Sequence, residues 1–378
     1  MDSELGPLLP LFERERAARR PMVLGVLVHT LGSTYRKPGA MLLMAADGEY
    51  AGLISGGCLE GDLGERARTV LETGRATIVS YDLRNADDLV WGLGLGCEGA
   101  MHILLLRVGP CEEWQPLAHL AAALNAHRPT AVGIVTESRD AEVPAGALLL
   151  PRTGGAALVV AGSQVIAGSQ VIAGSSASSA PAALLGPHAL AALAVAPDSG
   201  AVSWVEGPDA RWKMLLLPLC LPPRLLLLGA GPDALPLVDF AARLHWPVTL
   251  ADHRPAYAVA SHFPLAERVV LTRPEEVARA VDISHFIAAV VMSHHLPSDL
   301  EYLRALSASP VGYVGLLGPP ARREKLLTEL GAEGQRLKPR LRAPVGLNLG
   351  GRTPEAIALA IVAEIHAFVH DMHEKRYE

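Results

Sequence analysis

The chain has 378 residues, half of them hydrophobic, with a formal net charge of −6 and 19% charged residues. That length points to two domains rather than one. The acidic balance excludes a nucleic-acid binder, which needs a basic face against phosphates. Four cysteines without C-x-x-C spacing argue against a structural zinc site and a disulfide scaffold, and for a reducing cytoplasm.

Residues 5–20 mix apolar and charged positions suited to an opening helix. The start is acidic and broken by Pro7 and Pro10, unlike a basic-then-apolar leader. Strands are predicted over 22–30 and 41–44, with an Asp47-Gly48 turn leading into 50–54 as a hairpin. Over 58–73, Leu59, Leu63, Ala67, Val70 and Leu71 share one helical face, and Gly74 stops the helix. Strands at 76–81 and 101–107, a helix at 112–127 and a strand at 130–136 complete a mixed α/β pattern.

The hexapeptide AGSQVI starts at Ala161, repeats from Ala167 and fades into Ser and Ala. Two copies are too few for a β-helix, so 161–179 reads as a low-complexity loop. Ordered structure is expected again over 201–219. The most apolar stretch, 214–228, is broken by Pro218, Pro222, Pro223 and Arg224. It reads as two buried strands and a linker, not a membrane span. Pro222-Pro223 marks the boundary between an N-terminal domain, 1–221, and a C-terminal domain, 222–378.

Beyond it, strands (224–228, 248–252, 268–271, 287–292, 311–316) alternate with helices (233–244, 274–281, 297–306, 319–330, 353–368). That alternation predicts an α/β, Rossmann-like parallel sheet.

Three glycine-rich turns mark the N-terminal half. The first, 32–40, carries the cations Arg36 and Lys37; the second holds Gly56, Gly57, Cys58 and Glu60; the third, 92–99, holds Cys97. Glycine lets backbone approach a ligand closely, and a thiol near a helix N-terminus or a cation shifts toward thiolate. Together the turns suit a large anionic ligand with sulfur or soft-metal chemistry, with Cys58 and Cys97 as the candidate metal-contacting pair. The alternative is that the glycines make tight turns and the thiols simply pack. Cys111 and Cys220 have no such setting and read as small apolar residues.

In the C-terminal half, Gly229-Ala230-Gly231-Pro232-Asp233-Ala234 fits G-x-G-x-x-[GA] between a strand and a helix, and Asp252 ends the next strand. The pattern suits a pyrophosphate on the turn and a ribose hydroxyl on the acid. It leaves NAD(P) or another nucleotide as a candidate ligand, and equally a fold turn with no dinucleotide. His294 and His295 follow a buried strand, as acid/base groups or as an ordinary helix start. Gly318, with Arg322 and Arg323 after it, suits an anion. Gly350 and Gly351 precede Thr353 and Pro354, an N-cap and first-turn pair. His366, His370 and His373 read as a solvated tail rather than a metal site.

The segments GSTYRKPGA (32–40), SGGCLEGD (55–62), WGLGLGCEG (91–99), GAGPDALPLV (229–238), VVMSHH (290–295), GLLGPPARR (315–323) and PVGLNLGGRTPEAIALAIVAEI (344–365) resemble the XdhC/CoxI family. That family comprises accessory proteins that mature xanthine dehydrogenase and related molybdenum hydroxylases. The resemblance implies a chaperone rather than a catalyst. It would bind molybdenum cofactor, support its sulfuration with a cysteine desulfurase, and insert it into a xanthine dehydrogenase-type apoenzyme. It implies that Cys58 and Cys97 contact the cofactor or handle sulfur. Many members carry His where this chain has Pro232, and the 161–179 repeat lies outside the pattern. The competing functions are an NAD(P)-dependent oxidoreductase using the C-terminal fold and a persulfide-carrying sulfurtransferase. No membrane partner is expected, and a homodimer is the expected assembly.

Overall fold

The computed structural model describes residues 4–57, 59–82, 99–141, 143–151, 157–160 and 179–374. Its contacts divide the chain between Leu221 and Pro222 into two compact units.

The N-terminal unit opens with a short 3₁₀ turn and helix α1 (Leu9–Ala17). Pro7 and Pro10 each sit in a first turn, where no backbone donor is needed. Then come β1 (Met22–Gly32), β2 (Met41–Ala45), β3 (Tyr50–Gly52), α2 (Glu60–Thr73), β4 (Thr77–Asp82) and β5 (Gly99–Val108). These five strands form an antiparallel sheet in the order β3-β2-β1-β5-β4. Gly74 takes φ +67 and ends α2, as its position in the sequence predicts.

Helix α3 (Leu117–Asn125) leads to β6 (Ala131–Ser138), β7 (Leu148–Pro151), β8 (Ala157–Val160), α4 (Ser179–Ser199), β9 (Ser203–Glu206) and β10 (Trp212–Pro218). These strands make a second antiparallel sheet, β8-β7-β6-β10-β9. Neither β7, β8 nor α4 is anticipated by the sequence reading. Helix α4 bends at Gly186, φ +76, directly before Pro187, so its apolar repeat is interrupted. Of the predicted 161–179 loop only Ser179 lies among the described residues, as the first residue of α4.

Period-two alternation decides the packing. Leu104, Leu106 and Val108 of β5 join Leu24 and Val26 of β1, Val132 and Ile134 of β6 and Leu215 and Leu217 of β10 in one core with α1 and α3. Met101, Ile103 and Leu105 face the other way, onto Leu63, Ala67 and Val70 of α2. The two sheets thus share an inner core, and α2 and α4 cover their outer faces.

The C-terminal unit contains β11 (Leu225–Leu228), α5 (Leu235–Arg243), β12 (Val248–Asp252), β13 (Arg268–Leu271), α6 (Val277–Ala280), β14 (Ala288–Val291) and α7 (Leu296–Ser307). It continues with β15 (Tyr313–Leu316), α8 (Pro320–Leu330), α9 (Ala332–Leu337), β16 (Leu341–Arg342) and α10 (Pro354–Glu374). All six strands run parallel in the order β13-β12-β11-β14-β15-β16. This is the Rossmann-like sheet that strand–helix alternation predicts. Leu225 and Leu227 face α5 and α10, while Leu226 and Leu228 face α6 to α9, so every residue of β11 is buried. The apolar stretch 214–228 is accordingly split between β10 and β11, in different units.

Chain reversal between β11 and α5 depends on Gly229. It takes φ +127, and a Cβ there would stand 2.6 Å from the backbone carbon and oxygen of Met292 and 2.7 Å from the Ser293 nitrogen. Gly229→Ala is therefore expected to cost about 3 kcal/mol or more, since a strained backbone and a backbone clash coincide. Chemical denaturation followed by near-ultraviolet circular dichroism checks it; an unchanged midpoint would contradict the geometry.

Candidate functional site

In the N-terminal unit Gly56 of the second glycine-rich segment and Gly99, the described residue of the third, both meet the first. The ladder of β1 and β5 runs out to the pair Gly32 and Gly99, which places the 32–40 turn beside the end of the third segment. A Cβ on Gly99 would stand 2.5 Å from the Ser33 carbonyl oxygen and 2.6 Å from Thr34 Cγ2, so only glycine permits this approach. The second segment meets the same turn from another side. Gly56 takes φ +82, and the Tyr35 ring lies 3.8 Å from the place of its Cβ. Gly57, φ +107, has open space where a Cβ would be. Tyr35 is exposed beside it.

The acidic residues of the second segment hold its shape. Glu60 is buried; its carboxylate accepts from the amides of Ser55 (3.1 Å) and Leu59 (3.2 Å) and from the Ser55 hydroxyl. Burial works against the ionised form, but these hydrogen bonds outweigh it and hold Glu60 below the usual carboxylate range. Asp62 accepts from Tyr81 Oη at 2.5 Å and Arg66 Nε at 2.7 Å, tying α2 to β4. Of the two predicted cations, Arg36 pairs with Glu4 and Lys37 is exposed. Cys58 and Cys97 lie outside the described residues. Of the other cysteines, Cys111 is exposed, and the Cys220 thiol faces the Gly200 carbonyl at 3.8 Å.

The C-terminal unit holds a cavity of about 330 Å³ at the carboxyl edge of its sheet. Asp233 after β11, Met292 and His294 after β14, Gly318 and Arg322 after β15, and Arg352 and Ile361 at α10 line it. It lies where the strand order reverses, between β11 and β14, the usual ligand position in open α/β sheets. His294 takes φ +60, and its Nε2 lies 2.7 Å from Asp233 Oδ2. Arg322 donates from Nε (3.2 Å) and Nη2 (2.6 Å) to Asp299, which is fully buried and also accepts from the Ser293 hydroxyl at 2.5 Å. His295 stands at the N-cap position of α7 without capping it through its side chain, and its Nδ1 lies 2.9 Å from Ser298 Oγ. Thr353 caps α10 through the Ala356 amide at 3.3 Å.

Asp252, the predicted ribose-binding acid, is held by groups of the protein itself. It is fully buried beneath the Gly229 turn. Its Oδ2 accepts from the Ala230 amide at 2.7 Å and Arg254 Nη2 at 2.7 Å; its Oδ1 accepts from Arg254 N and Nε, both at 2.9 Å. Four donors fill the four acceptor positions of a carboxylate. Arg254 in turn lies 4.0 Å over the Tyr257 ring. The predicted ribose-binding acid is thus a staple between the glycine turn and the end of β12. Arg254, which the sequence offers equally for a 2′-phosphate beside the acid, curls its side chain back to Asp252.

His366 and His370 do share a helical face, with their Nε2 atoms 3.2 Å apart. Among the described residues no group of three His, Cys, Asp or Glu side chains is placed to hold a metal. Nor, among them, is any helix long and apolar enough to cross a membrane.

With this geometry in place, comparison with known proteins fixes the class. The sequence profile of the XdhC and CoxI family matches residues 15–82, and that of the XdhC Rossmann domain matches 225–365. A Bacillus subtilis (strain 168) protein, named as a probable subunit of xanthine dehydrogenase, is 32% identical over 345 residues, 91% of this chain and 92% of its own length. The uncharacterized protein YqeB of Escherichia coli (strain K12) is 30% identical over 146 residues, 38% of this chain and 27% of its own. The crystal structure of a xanthine dehydrogenase from Bacillus halodurans superposes with a TM-score of 0.73 at 27% identity, covering 98% of this chain and 96% of the other. The chain belongs to the XdhC and CoxI family.

The Asp252 staple has a testable pH signature. Burial alone would raise its pKa; hydrogen bonds from Arg254 and from the Ala230 and Arg254 amides hold it below the ordinary 3.8. A depressed carboxylate contributes stability that is complete above its unfolded pKa and lost as pH falls through its folded pKa. Asp252→Ala is expected to cost about 3 kcal/mol at pH 7, because Arg254 and the Ala230 amide lose their partner. The gap to wild type should narrow below pH 3.8. Urea unfolding across pH measures it, and a gap that stays constant into acid would contradict the ionised staple.

Proposed function

We propose that the chain is an accessory chaperone that binds molybdenum cofactor, supports its sulfuration and delivers it to a xanthine dehydrogenase-type apoenzyme. The observation that carries this reading is the approach of Gly56 and Gly99, from two glycine-rich segments, to Ser33, Thr34 and Tyr35 of a third. Such a junction fits the implied group. Gly56 and Gly57 let backbone come close to a ligand, the exposed Tyr35 offers a flat aromatic face, and Lys37 offers a charge for a phosphate.

When bound, the cofactor supplies a phosphorylated pterin and a molybdenum on dithiolene sulfurs. Cys58 follows Gly57 in sequence and Cys97 precedes Gly99 by two residues. They are the soft donors suited to that metal, or the carriers of a sulfur arriving from a cysteine desulfurase. Glu60 and Asp62 keep the second turn in shape without offering a free carboxylate to the ligand. The names of the two Bacillus relatives support a xanthine dehydrogenase as the partner. The filled acceptor positions of Asp252 favour this reading over a nicotinamide-dependent oxidoreductase.

Cys58→Ala and Cys97→Ala should fold as wild type, since losing one sulfur from a small side chain costs only about 1 kcal/mol even when buried. Each should retain molybdenum cofactor at least tenfold less well or fail to activate the apo-hydroxylase. Cys58→Ala should have the larger effect, because Cys58 immediately precedes the first turn of α2. If both single variants and the double variant bind and activate as wild type, the cysteines have no part in the chemistry.

A further inference from the structure

We infer that the cavity of the C-terminal unit takes a phosphate monoester carried on a flat ring, and that its anion sits on Arg352 and Arg322 rather than on the glycine turn after β11. This site stands on the C-terminal unit alone and does not depend on Cys58 or Cys97.

The glycine turn is built against an anion. Pro232 has no N–H to offer, and the Ala230 amide already donates to Asp252. The Asp233 carboxylate folds back over the turn, with Oδ1 2.5 Å from where a Cβ on Gly231 would stand. His294 Nε2 anchors that carboxylate at 2.7 Å. A pyrophosphate in the position that G-x-G-x-x-[GA] normally serves would meet a fixed negative charge.

Two arginines also line the cavity, Arg322 in the first turn of α8 and Arg352 ahead of α10. Arg322 crosses Gly318: a Cβ on that residue, φ +138, would stand 2.6 Å from Arg322 Cδ. Buried Asp299 grips Arg322 through Nε and Nη2, which fixes the guanidinium and leaves Nη1 over. Asp299 balances the charge of Arg322. Arg352 lines the same cavity, and among the described residues it has no ion pair. It is therefore the uncompensated cation of this lining. The N-terminus of α8, with no acidic residue in its first turn, reaches this lining at Pro319 and Arg322 and favours an anion.

The rest of the lining defines the other half of the ligand. Leu237, Met292, Leu317, Ile357 and Ile361 are apolar. A volume of about 330 Å³ lies at the small end of the range for ligand sites and suits one ring system with its phosphate, not an enclosed dinucleotide. A nucleotide and a phosphorylated pterin share this chemistry.

The test titrates full-length protein by calorimetry at low salt with inorganic phosphate, guanosine monophosphate, a phosphorylated pterin and NADH. Wild type should bind at least one of the two ring-bearing monophosphates, more tightly than inorganic phosphate and than NADH; which of the two is tighter identifies the source. Arg352→Ala, at an exposed position, should weaken that binding at least tenfold, with Arg352→Lys intermediate. Asp233→Asn, which removes a negative charge from the lining, should strengthen it. Failure of wild type to bind either monophosphate, or equal binding by wild type and Arg352→Ala, would overturn the assignment. So would NADH binding tightest and Arg352→Ala leaving it intact. Because the cysteine variants are scored separately by client activation, loss of this site and loss of the chaperone reading are distinguishable.

Discussion

The N-terminal unit depends on one long strand pairing. β1 and β5 run antiparallel from Met22 opposite Val108 to Gly32 opposite Gly99. Their inner halves are buried on both faces, so hydrophobic burial fixes the register: a shift by one residue would exchange the Leu104–Leu106 face with the Met101–Ile103–Leu105 face. That register carries the far end of the pair out of the core and sets Gly99 against Ser33 and Thr34. The turn holding Gly56 then reaches Tyr35 from α2, whose apolar face is pinned to the same sheet. Core packing thereby decides which glycine turns meet.

Acidic side chains in the family motifs mostly serve to hold backbone. Glu60 gathers the amides of its own turn, Asp62 ties α2 to β4, and Asp252 joins the glycine turn to Arg254. Asp299 fixes Arg322 in the same manner. Each accepts hydrogen bonds within the protein. Among these four motif acids, charge is turned inward. Tyr35, Lys37 and Arg352 are by contrast exposed.

The parallel sheet was legible because β11, β12 and β14 are short apolar runs buried on both faces and separated by amphipathic segments. Val248–Asp252 and Arg268–Leu271 fall where the sequence places them. The second antiparallel sheet was less legible. β7 is only four residues and ends in Pro151, and α4 contains Pro187 and Pro197, so neither keeps a period long enough to read. The glycine motifs were visible as chemistry, but their mutual contact rests on long-range pairing that no local pattern encodes. Asp252 shows the opposite limit. The motif marked its position, but not the neighbouring arginine's hold on its carboxylate.

The most direct measurement is mass spectrometry of whatever small molecule is released when the protein, purified from its own host under anaerobic conditions, is denatured. A phosphorylated pterin together with molybdenum, in near-stoichiometric amount, is the result this account predicts. A nicotinamide dinucleotide in its place, or protein that carries no pterin even when its client apoenzyme is withheld, would contradict it.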